Sequence, residues 1–202
     1  MTDAEMAMEE VKLYYDYKSP FTYVAMAPAF ELPERYAVEL RWLPFLLRIK
    51  GPGQRSVYSD WKAKYSYMDA RRAANRRGGL RILGPQKIYD STPALVGGLY
   101  ATRRGFFRPY TEAVFERFFR RELEIDVPAE VAALVESLGH PGEEYLGYLA
   151  GEGARELDAS IEEGHADRVF GVPIFVFRGE LFWGQDRIPL LEERLAEAGL
   201  GA

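Results

Sequence analysis

The hydrophobic and polar positions change their period twice along the chain. "VKLYYDY" (11–17) is rich in β-forming residues and predicts a strand, and "AVELRWLPFLL" (37–47) predicts a second one. Between them, "PFTYVAMAPAFELPERY" (20–36) predicts a helix, because its apolar residues recur at the helical interval. These residues are Tyr23, Val24, Ala27 and Phe30. A β-α-β unit of this kind has parallel strands and a right-handed crossover, so we expect the helix to pack on a sheet.

From about residue 50 to residue 167 the pattern is mostly helical. Five segments there predict helices, with capping residues, glycine or proline near their ends. They are 60–79, 90–105, 110–123, 128–139 and 141–151. The period of a strand then returns, since "PIFVFRGELFWG" (173–184) alternates around Arg178-Gly179 and indicates a hairpin. A last helix is predicted over 186–199, so the coarse order is β-α-β, a block of helices, then β-β-α.

Composition narrows the class of protein. The chain has 202 residues, 48% of them hydrophobic and 14% aromatic, which is enough to bury a substantial core. No apolar run reaches the roughly 18 residues of a membrane span, and the first ten residues lack the basic and apolar start of a secretory signal. A formal net charge of −5 argues against nonspecific binding of nucleic acid. Arginines cluster at 71–81, 102–108 and 115–121, which we interpret as solvated faces; the alternative is a rim that attracts an anionic ligand.

The chain has no cysteine, which excludes disulfide bonds, thiolate metal sites and thiol chemistry by the protein itself. Its two histidines, His140 and His165, stand apart in polar sequence of the kind found in loops. Neither has a partner at ligand spacing, so we expect no metal site and no histidine-based triad.

Three short segments carry candidate chemistry. Ser19 stands at the start of the first predicted helix, where a serine N-cap followed by proline is a common beginning. Pro173 leads into the strand of "VFGVPIF" (169–175), and Asp186 stands at the start of the last helix in "LFWGQDR" (181–187). The three segments meet if the two strand-forming parts of the chain make one sheet.

Four stretches together resemble a known family. "YYDYKSPFTYVA", "RWLPFLL", "VFGVPIFVF" and "GELFWGQDR" are similar to the 2-hydroxychromene-2-carboxylate isomerases and kappa-class glutathione transferases, which are related to disulfide oxidoreductases of the DsbA type. The resemblance spans about Val11 to Leu195. It implies an α/β, thioredoxin-like domain formed by residues 11–48 and 168–202, with an all-helical insertion over 49–167. Residues 1–10 are expected to be a flexible lead-in, with order beginning near Val11.

The resemblance gives Ser19 a role. In DsbA-type enzymes this helix start carries Cys-x-x-Cys, whereas here the four residues are Ser19, Pro20, Phe21 and Thr22. The reactive sulfur is therefore implied to be that of glutathione, a cofactor, with the Ser19 hydroxyl holding its thiolate. A helix N-terminus favours an anion and lowers a thiol pKa, which agrees with this role. The alternative is that Ser19 is an N-cap alone.

The remaining binding residues are also implied by the resemblance. Val172 and Pro173 correspond to a cis-proline turn, whose backbone pairs with the cysteinyl part of glutathione. Without that role, Pro173 begins an edge strand. The γ-glutamyl end is expected at the start of the last helix, where Asp186 takes the ammonium group or, alternatively, only caps the helix. That set is Trp183, Gly184, Gln185 and Asp186.

Lys62, seven residues before Asp69, is implied to bind the glycine carboxylate of glutathione, and Lys50 is a weaker candidate. The family often has an asparagine in the preceding loop, where this chain has Gln54 or Ser56. An active cleft is expected between the two parts of the molecule, with Phe21, Tyr23 and Tyr65 contacting the substrate. Its walls would also include Phe45 and Met68.

The implied activity is a glutathione-dependent isomerisation of an aromatic, conjugated carboxylate, in aromatic catabolism. The resemblance further implies a homodimer. The lack of a visible export signal, together with the abundance of glutathione in the cytoplasm, predicts a cytoplasmic location, and the net charge and the absence of a long apolar run predict no binding of nucleic acid and none of a membrane. Two other functions stay open. One is a kappa-like glutathione transferase, and the other is a non-catalytic thioredoxin-like module that binds a peptide at the edge formed by Val172 and Pro173.

Overall fold

The computed structural model describes residues 8–47 and 60–201, with the side chain of Asp60 left out. Lys50, Gln54 and Ser56, which the sequence nominates for glutathione binding, lie outside these ranges. Within them, no helix is long and apolar enough to cross a membrane.

Four strands form one mixed sheet in the order β2-β1-β3-β4. They are β1 (Glu9–Tyr15), β2 (Val38–Pro44), β3 (Ile174–Phe177) and β4 (Glu180–Trp183). β1 and β2 are parallel, while β3 is antiparallel to both β1 and β4. The predicted β-α-β unit and the late hairpin are therefore confirmed, and they share one sheet. β1 begins at Glu9, two residues before the expected start near Val11, because Glu9 pairs with Val38 in the ladder.

The hairpin between β3 and β4 turns at the predicted dipeptide. Arg178 has φ 49° and Gly179 has φ 81°. Two successive residues with positive φ make the type I′ geometry that fits the twist of a two-residue hairpin. Glycine adopts this conformation without steric cost, which explains its place at the second position.

Eight helices lie in the described residues. They are α1 (Pro20–Arg35), α2 (Asp60–Arg76), α3 (Thr92–Arg104), α4 (Phe107–Arg120), α5 (Pro128–Ser137), α6 (Gly142–Leu149), α7 (Glu152–Ala166) and α8 (Ile188–Glu197). A short 3-10 turn (Gln185–Arg187) precedes α8. Each helix predicted from the sequence is confirmed. The structure adds α7, which the hydrophobic pattern did not predict.

α7 corrects the interpretation of His165 as a loop residue. The histidine lies in the last turn of this helix, and its ring meets that of Phe45 at 5.5 Å. The buried positions of α7 are mostly small, namely Gly153, Leu157, Ser160 and Gly164. A methyl group on Gly164 would lie 2.6 Å from the Phe45 ring, so close packing requires a glycine there. Because most residues of this buried face are small, the sequence shows no clear hydrophobic period there, and the helix could not be predicted from it.

The sheet has apolar side chains on both faces. On one face, Val11 and Leu13 of β1 lie in the same buried cluster as Phe175 of β3, α1 and α8. On the other face, Tyr14 and Val176 belong to a cluster that continues into the segment before β3. Successive side chains of a strand point to opposite faces of the sheet, so neighbouring residues of β1 and of β3 fall in different clusters.

α1 is buried on two sides, which corrects the expected packing face. Ala25, Ala29 and Leu32 pack on the sheet. Tyr23 and Val24 instead join the core of the helical block. Ala27, expected on the sheet face, is exposed.

The helical block is held by tyrosines that pack against helix backbone. The Tyr110 hydroxyl donates to Ala94 O at 2.9 Å, and a methyl on Gly97 would lie 2.0 Å from that hydroxyl oxygen. The Tyr15 hydroxyl lies over Gly98 in the same way, 2.5 Å from where a methyl would be. The glycine pair of α3 therefore allows β1 and α4 to approach this helix closely.

A polar network, which we call the sheet–α7 network, joins the sheet to α7 through Lys12, Tyr14, Arg41, Glu163 and Asp167. Lys12 Nζ lies 2.8 Å from both Glu163 and Asp167. The Tyr14 hydroxyl donates to Asp167 at 2.6 Å, and Arg41 donates to both oxygens of Glu163 at 2.9 and 2.7 Å. Burial opposes ionisation of Asp167, but the hydrogen bonds from Lys12 and Tyr14 outweigh it and hold the pKa of this carboxyl below its usual value.

The arginine clusters lie largely on solvated helix faces with glutamate partners. Arg103 pairs with Glu152 on α7, and Arg120 pairs with Glu116 one turn earlier on α4. Exposed pairs of this kind contribute about 1 kcal/mol or less each. The structure thus favours solvated faces over a cationic rim for these residues.

Candidate active site at the start of α1

Ser19 joins two segments that are distant in sequence. Its backbone is extended (φ −83°, ψ 113°), which makes it the N-cap of α1 with Pro20 at the first helical position. The side-chain oxygen accepts a hydrogen bond from Thr22 N–H at 3.2 Å. The hydroxyl donates to Val172 O, also at 3.2 Å and 153 positions later in the chain. Ser19 is therefore an N-cap and also a contact with the loop before β3, while its role in holding a thiolate stays a prediction.

Asp16 holds the turn that presents Ser19. Its carboxylate is fully buried and accepts from the N–H groups of Lys18 at 2.9 Å and of Leu47 at 2.8 Å. The Lys18 ammonium lies 3.4 Å from the same carboxylate and donates to Leu47 O at 3.0 Å. Ser19 N–H donates to Asp16 O at 3.0 Å. Sequence reasoning missed Asp16, although a charged residue inside the apolar run "YYDY" was a usable signal.

The start of α1 is an electropositive end. Its first turn has no acidic residue, and the buried carboxylate of Asp16, three residues before Ser19, is itself paired with the Lys18 ammonium. Pro20 has no N–H, and Thr22 N–H is bonded to Ser19. Phe21 N–H has no hydrogen-bond acceptor among the residues that the structure describes. An unused N–H and a positive helix end together favour an anion at this position.

The loop before β3 faces Ser19. The Val172–Pro173 peptide bond is cis, as the resemblance implies. Val172 O accepts from Ser19, while no hydrogen bond within the described ranges engages Val172 N–H. Pro173 O accepts from Gly184 N–H at 2.9 Å, which ties this loop to the end of β4. Beside Ser19, the loop thus has an N–H donor that is not used by the described residues, Val172 N–H, and an acceptor that Ser19 already engages, Val172 O.

Two aromatic side chains stand exposed beside the same loop. Phe170 and Trp183 are 63% and 55% exposed, and their rings contact edge to face at 4.9 Å. The Trp183 indole covers Gly171, where a methyl group would lie 2.9 Å from Nε1. Trp183 was predicted at the site from the sequence, whereas Phe170 was missed. Large exposed aromatics next to polar backbone are typical of binding surfaces.

Gly184 and the residues after it form the opposite border of the site. Gly184 has φ 107°, and a methyl group there would lie 2.6 Å from the Asp186 carboxylate. The turn of Gln185 and Asp186 packs against α1. The Asp186 side chain is 60% exposed and forms an ion pair with Arg187 at 2.9 Å. Its carboxylate is accessible for the predicted ammonium group, which would compete with Arg187.

The predicted substrate residues fall in different environments. Tyr23 is only 5% exposed, and its ring stacks against those of Phe115 and Phe119, at ring distances of 5.4 and 5.2 Å. The structure therefore corrects its placement at a cleft wall, since the ring is part of the helical core. Phe45 is likewise buried, 6% exposed, against α7.

Phe21, Tyr65 and Lys62 have accessible side chains. Phe21 is partly buried in the first turn of α1, one residue after Pro20. Tyr65 is 56% exposed and Met68 42% exposed on α2, a helix that packs against α1. Lys62 is exposed one turn before Tyr65 on the same helix. Their roles in binding stay predictions.

Comparison with known proteins agrees with this geometry. The model of the DSBA-like thioredoxin domain family matches residues 10–196. A 2-hydroxychromene-2-carboxylate isomerase from Pseudomonas putida is 28% identical, over 92% of this chain and 93% of the relative. One from Pseudomonas sp. (strain C18) is 26% identical, over 93% and 91%. The solved structure of a selenomethionine 2-hydroxychromene-2-carboxylate isomerase superposes with a TM-score of 0.78 at 24% identity, over 94% of this chain and 95% of that one.

The match across nearly the whole chain confirms the predicted thioredoxin-like α/β fold and the resemblance on which the site residues were nominated. The matched range includes Ser19, the Val172–Pro173 loop and Asp186, so all three border segments of the site lie inside it. The chain belongs to the DSBA-like thioredoxin domain family.

Proposed function

We propose that the protein is a glutathione-dependent isomerase of an aromatic, conjugated carboxylate similar to 2-hydroxychromene-2-carboxylate. The two Pseudomonas relatives with that name support an isomerase. Disulfide exchange by a thiol of the protein is excluded, because the chain has no cysteine. The observation that carries the proposal is the Ser19 hydroxyl, 3.2 Å from Val172 O at the positive end of α1.

The residues around Ser19 suit a γ-glutamyl-cysteinyl-glycine peptide. Among the described residues, Val172 N–H has no partner and its carbonyl accepts from Ser19 alone, and these are the two groups that pair with an extended peptide. The positive end of α1 and Phe21 N–H favour a thiolate. The exposed Asp186 carboxylate is available for the ammonium of the γ-glutamyl group.

Glutathione would supply a thiolate that adds to a conjugated double bond, allows rotation about the resulting single bond and leaves again unchanged. The protein's contribution is to hold that sulfur ionised and in place. Ser19 does so by turning its O–H from Val172 O to the sulfur, which frees the Val172 carbonyl to accept the cysteinyl N–H. Phe170 offers exposed apolar area for an aromatic substrate near the Val172–Pro173 loop, and Trp183, expected at the γ-glutamyl end, packs against it.

The first test is isothermal calorimetry of the purified protein with glutathione and, in parallel, with S-methylglutathione. We expect glutathione to bind at or below millimolar concentration, and the methylated peptide to bind more weakly because it has no thiolate for the helix end. Absence of glutathione binding at millimolar concentration would overturn the proposal. Equal affinity for the two peptides would instead favour a peptide-binding module without thiol chemistry.

A second assay separates the isomerase from a transferase. The protein is incubated with catalytic glutathione and either a chromene carboxylate or 1-chloro-2,4-dinitrobenzene. An isomerase converts the chromene without consuming glutathione. Stoichiometric loss of glutathione with the chlorinated substrate, and no conversion of the chromene, would assign the protein to the transferases.

A further inference from the structure

Thr22 has a buried hydroxyl with no assigned role. The side chain is fully buried in the first turn of α1, and Oγ1 finds no hydrogen-bond partner among the described residues. A buried hydroxyl left unpaired destabilises a fold, and valine would fill the same space without that loss. An unsatisfied buried group in a native structure calls for an explanation, of which a role at a functional site is one.

The usual partners of a helical threonine are not used here. Elsewhere in the chain, Ser66 and Thr102 return their hydroxyls to the carbonyl four residues earlier, at 2.9 and 3.0 Å. Thr22 makes no such bond. It occupies the third helical position, where a side chain often bonds back to the N-cap N–H. That N–H, of Ser19, is already bonded to Asp16 O at 3.0 Å.

The position of Thr22 relates it to Ser19. Residues three apart are neighbours on one face of a helix, and helical side chains lean toward the N-terminus. Thr22 is already joined to Ser19 through its N–H, which donates to the Ser19 oxygen at 3.2 Å. The threonine χ1 angle has two accessible rotamers in a helix, so its hydroxyl can turn toward the preceding turn.

We propose that Thr22 is a positioning residue whose O–H donates to Ser19 Oγ when the Ser19 hydroxyl turns from Val172 O to an anionic sulfur. The Thr22 hydroxyl can do so without breaking a hydrogen bond within the described protein. Because a donor hydroxyl that itself accepts a hydrogen bond becomes a stronger donor, Thr22 lowers the thiol pKa through Ser19. This inference rests on the proposed function, since glutathione provides the sulfur.

The test is the pH titration of the thiolate absorbance of glutathione bound to the protein. The chain has no cysteine, so the thiolate signal belongs to glutathione alone. We expect the bound thiol pKa to lie below the value of about 8.5 of a free thiol. Thr22→Val should raise it by up to about one pH unit, the upper size for one hydrogen bond between neutral groups, because Thr22 reaches the sulfur only through Ser19, and Thr22→Ser should restore it.

Ser91→Ala is the matched control. Ser91 is also a fully buried hydroxyl without a partner among the described residues, at the start of α3 instead of α1. Its removal should leave the bound thiol pKa unchanged. If Thr22→Val does not fold, Thr22→Ala and Thr22→Ser decide the question, since they differ by one oxygen atom.

The outcomes separate the two proposals. Glutathione that binds with the same thiol pKa in the wild type, Thr22→Val and Thr22→Ala overturns the role of Thr22 and leaves the proposed function intact. A change in melting temperature without a change in thiol pKa assigns Thr22 to packing and also overturns it. Absence of glutathione binding to the wild type overturns both.

Discussion

Two polar clusters, the sheet–α7 network beside β1 and the group around Ser19 at the start of α1, differ in how their hydrogen bonds are satisfied. In the sheet–α7 network, the ammonium of Lys12 meets two carboxylates, and Tyr14 and Arg41 complete the shells of those carboxylates. Around Ser19, the buried hydroxyl of Thr22 and the N–H groups of Phe21 and Val172 have no hydrogen-bond partner among the described residues. A cluster with all its partners stabilises the fold, whereas unused donors around a positive helix end are available to a ligand.

The largest expected effect comes from Ser19→Ala. We expect kcat to fall on the order of 100-fold, because one preorganised donor to the reacting anion is lost. The Kd for glutathione should change much less, since the peptide backbone contacts stay. Steady-state kinetics and calorimetry measure the two quantities.

Ser160→Ala is the control for that comparison. Ser160 is also buried and also donates to a backbone carbonyl, Pro44 O at 2.8 Å, but it lies on α7 beside the sheet. Its loss should cost about 1 kcal/mol of stability and leave kcat unchanged. Equal losses of kcat in both variants would show that Ser19 acts through the fold alone.

Asp167→Asn tests the satisfied cluster and has a distinct dependence on pH. The folded state lowers the pKa of Asp167, so its contribution to stability is present above the unfolded pKa of about 3.9 and is lost as pH falls through the lower folded value. We expect the variant to be about 1–2 kcal/mol less stable at pH 7, with the gap closing below about pH 4. Denaturant unfolding at several pH values measures the gap.

Asp158→Asn, on the exposed side of α7, is the matched control and should change the stability at pH 7 by less than about 0.5 kcal/mol. The activity of Asp167→Asn should stay that of the wild type, because the sheet–α7 network lies outside the proposed site. If fully folded Asp167→Asn lost kcat, this would contradict the conclusion that the sheet–α7 network is structural and separate from the site at Ser19.

The smallest effect is expected for Tyr23→Phe. The Tyr23 ring stacks in the helical core, so removal of its hydroxyl should change kcat by less than about twofold and stability by less than about 0.5 kcal/mol. Tyr14→Phe, which removes a bond to Asp167, should cost about 1 kcal/mol in the same melting experiment. A tenfold fall in kcat for Tyr23→Phe would return this residue to the substrate site.

The order of strands and helices was predictable where hydrophobic period and turn residues agree. Arg178-Gly179, the serine N-cap and the strand after Pro173 are local signals, and each appears as expected. α7 escaped because its buried face consists mainly of small residues. Tyr23 was misplaced because helical period shows that a residue is buried without showing against what.

The environments of Thr22 and Phe170 could be learned only from the three-dimensional structure. The sequence shows a threonine in a first helical turn, but the absence of a partner for its hydroxyl within the described residues is a property of the packed structure. Phe170 stands in an apolar run and reads as core, yet it is exposed beside Trp183. Both follow from tertiary packing, which a one-dimensional pattern does not encode.

The strand order also bears on how the chain acquires its site during synthesis. β1 leaves the ribosome long before β3, with β2 and seven described helices made between them, although the two strands are neighbours in the sheet. Until Phe177 has been made, β1 keeps one unpaired edge, and until Val172 has been made, Ser19 has no carbonyl opposite it. A truncated or stalled nascent chain therefore presents the helix start without its counterpart, and the site is complete only after the loop before β3 and the hairpin have been made.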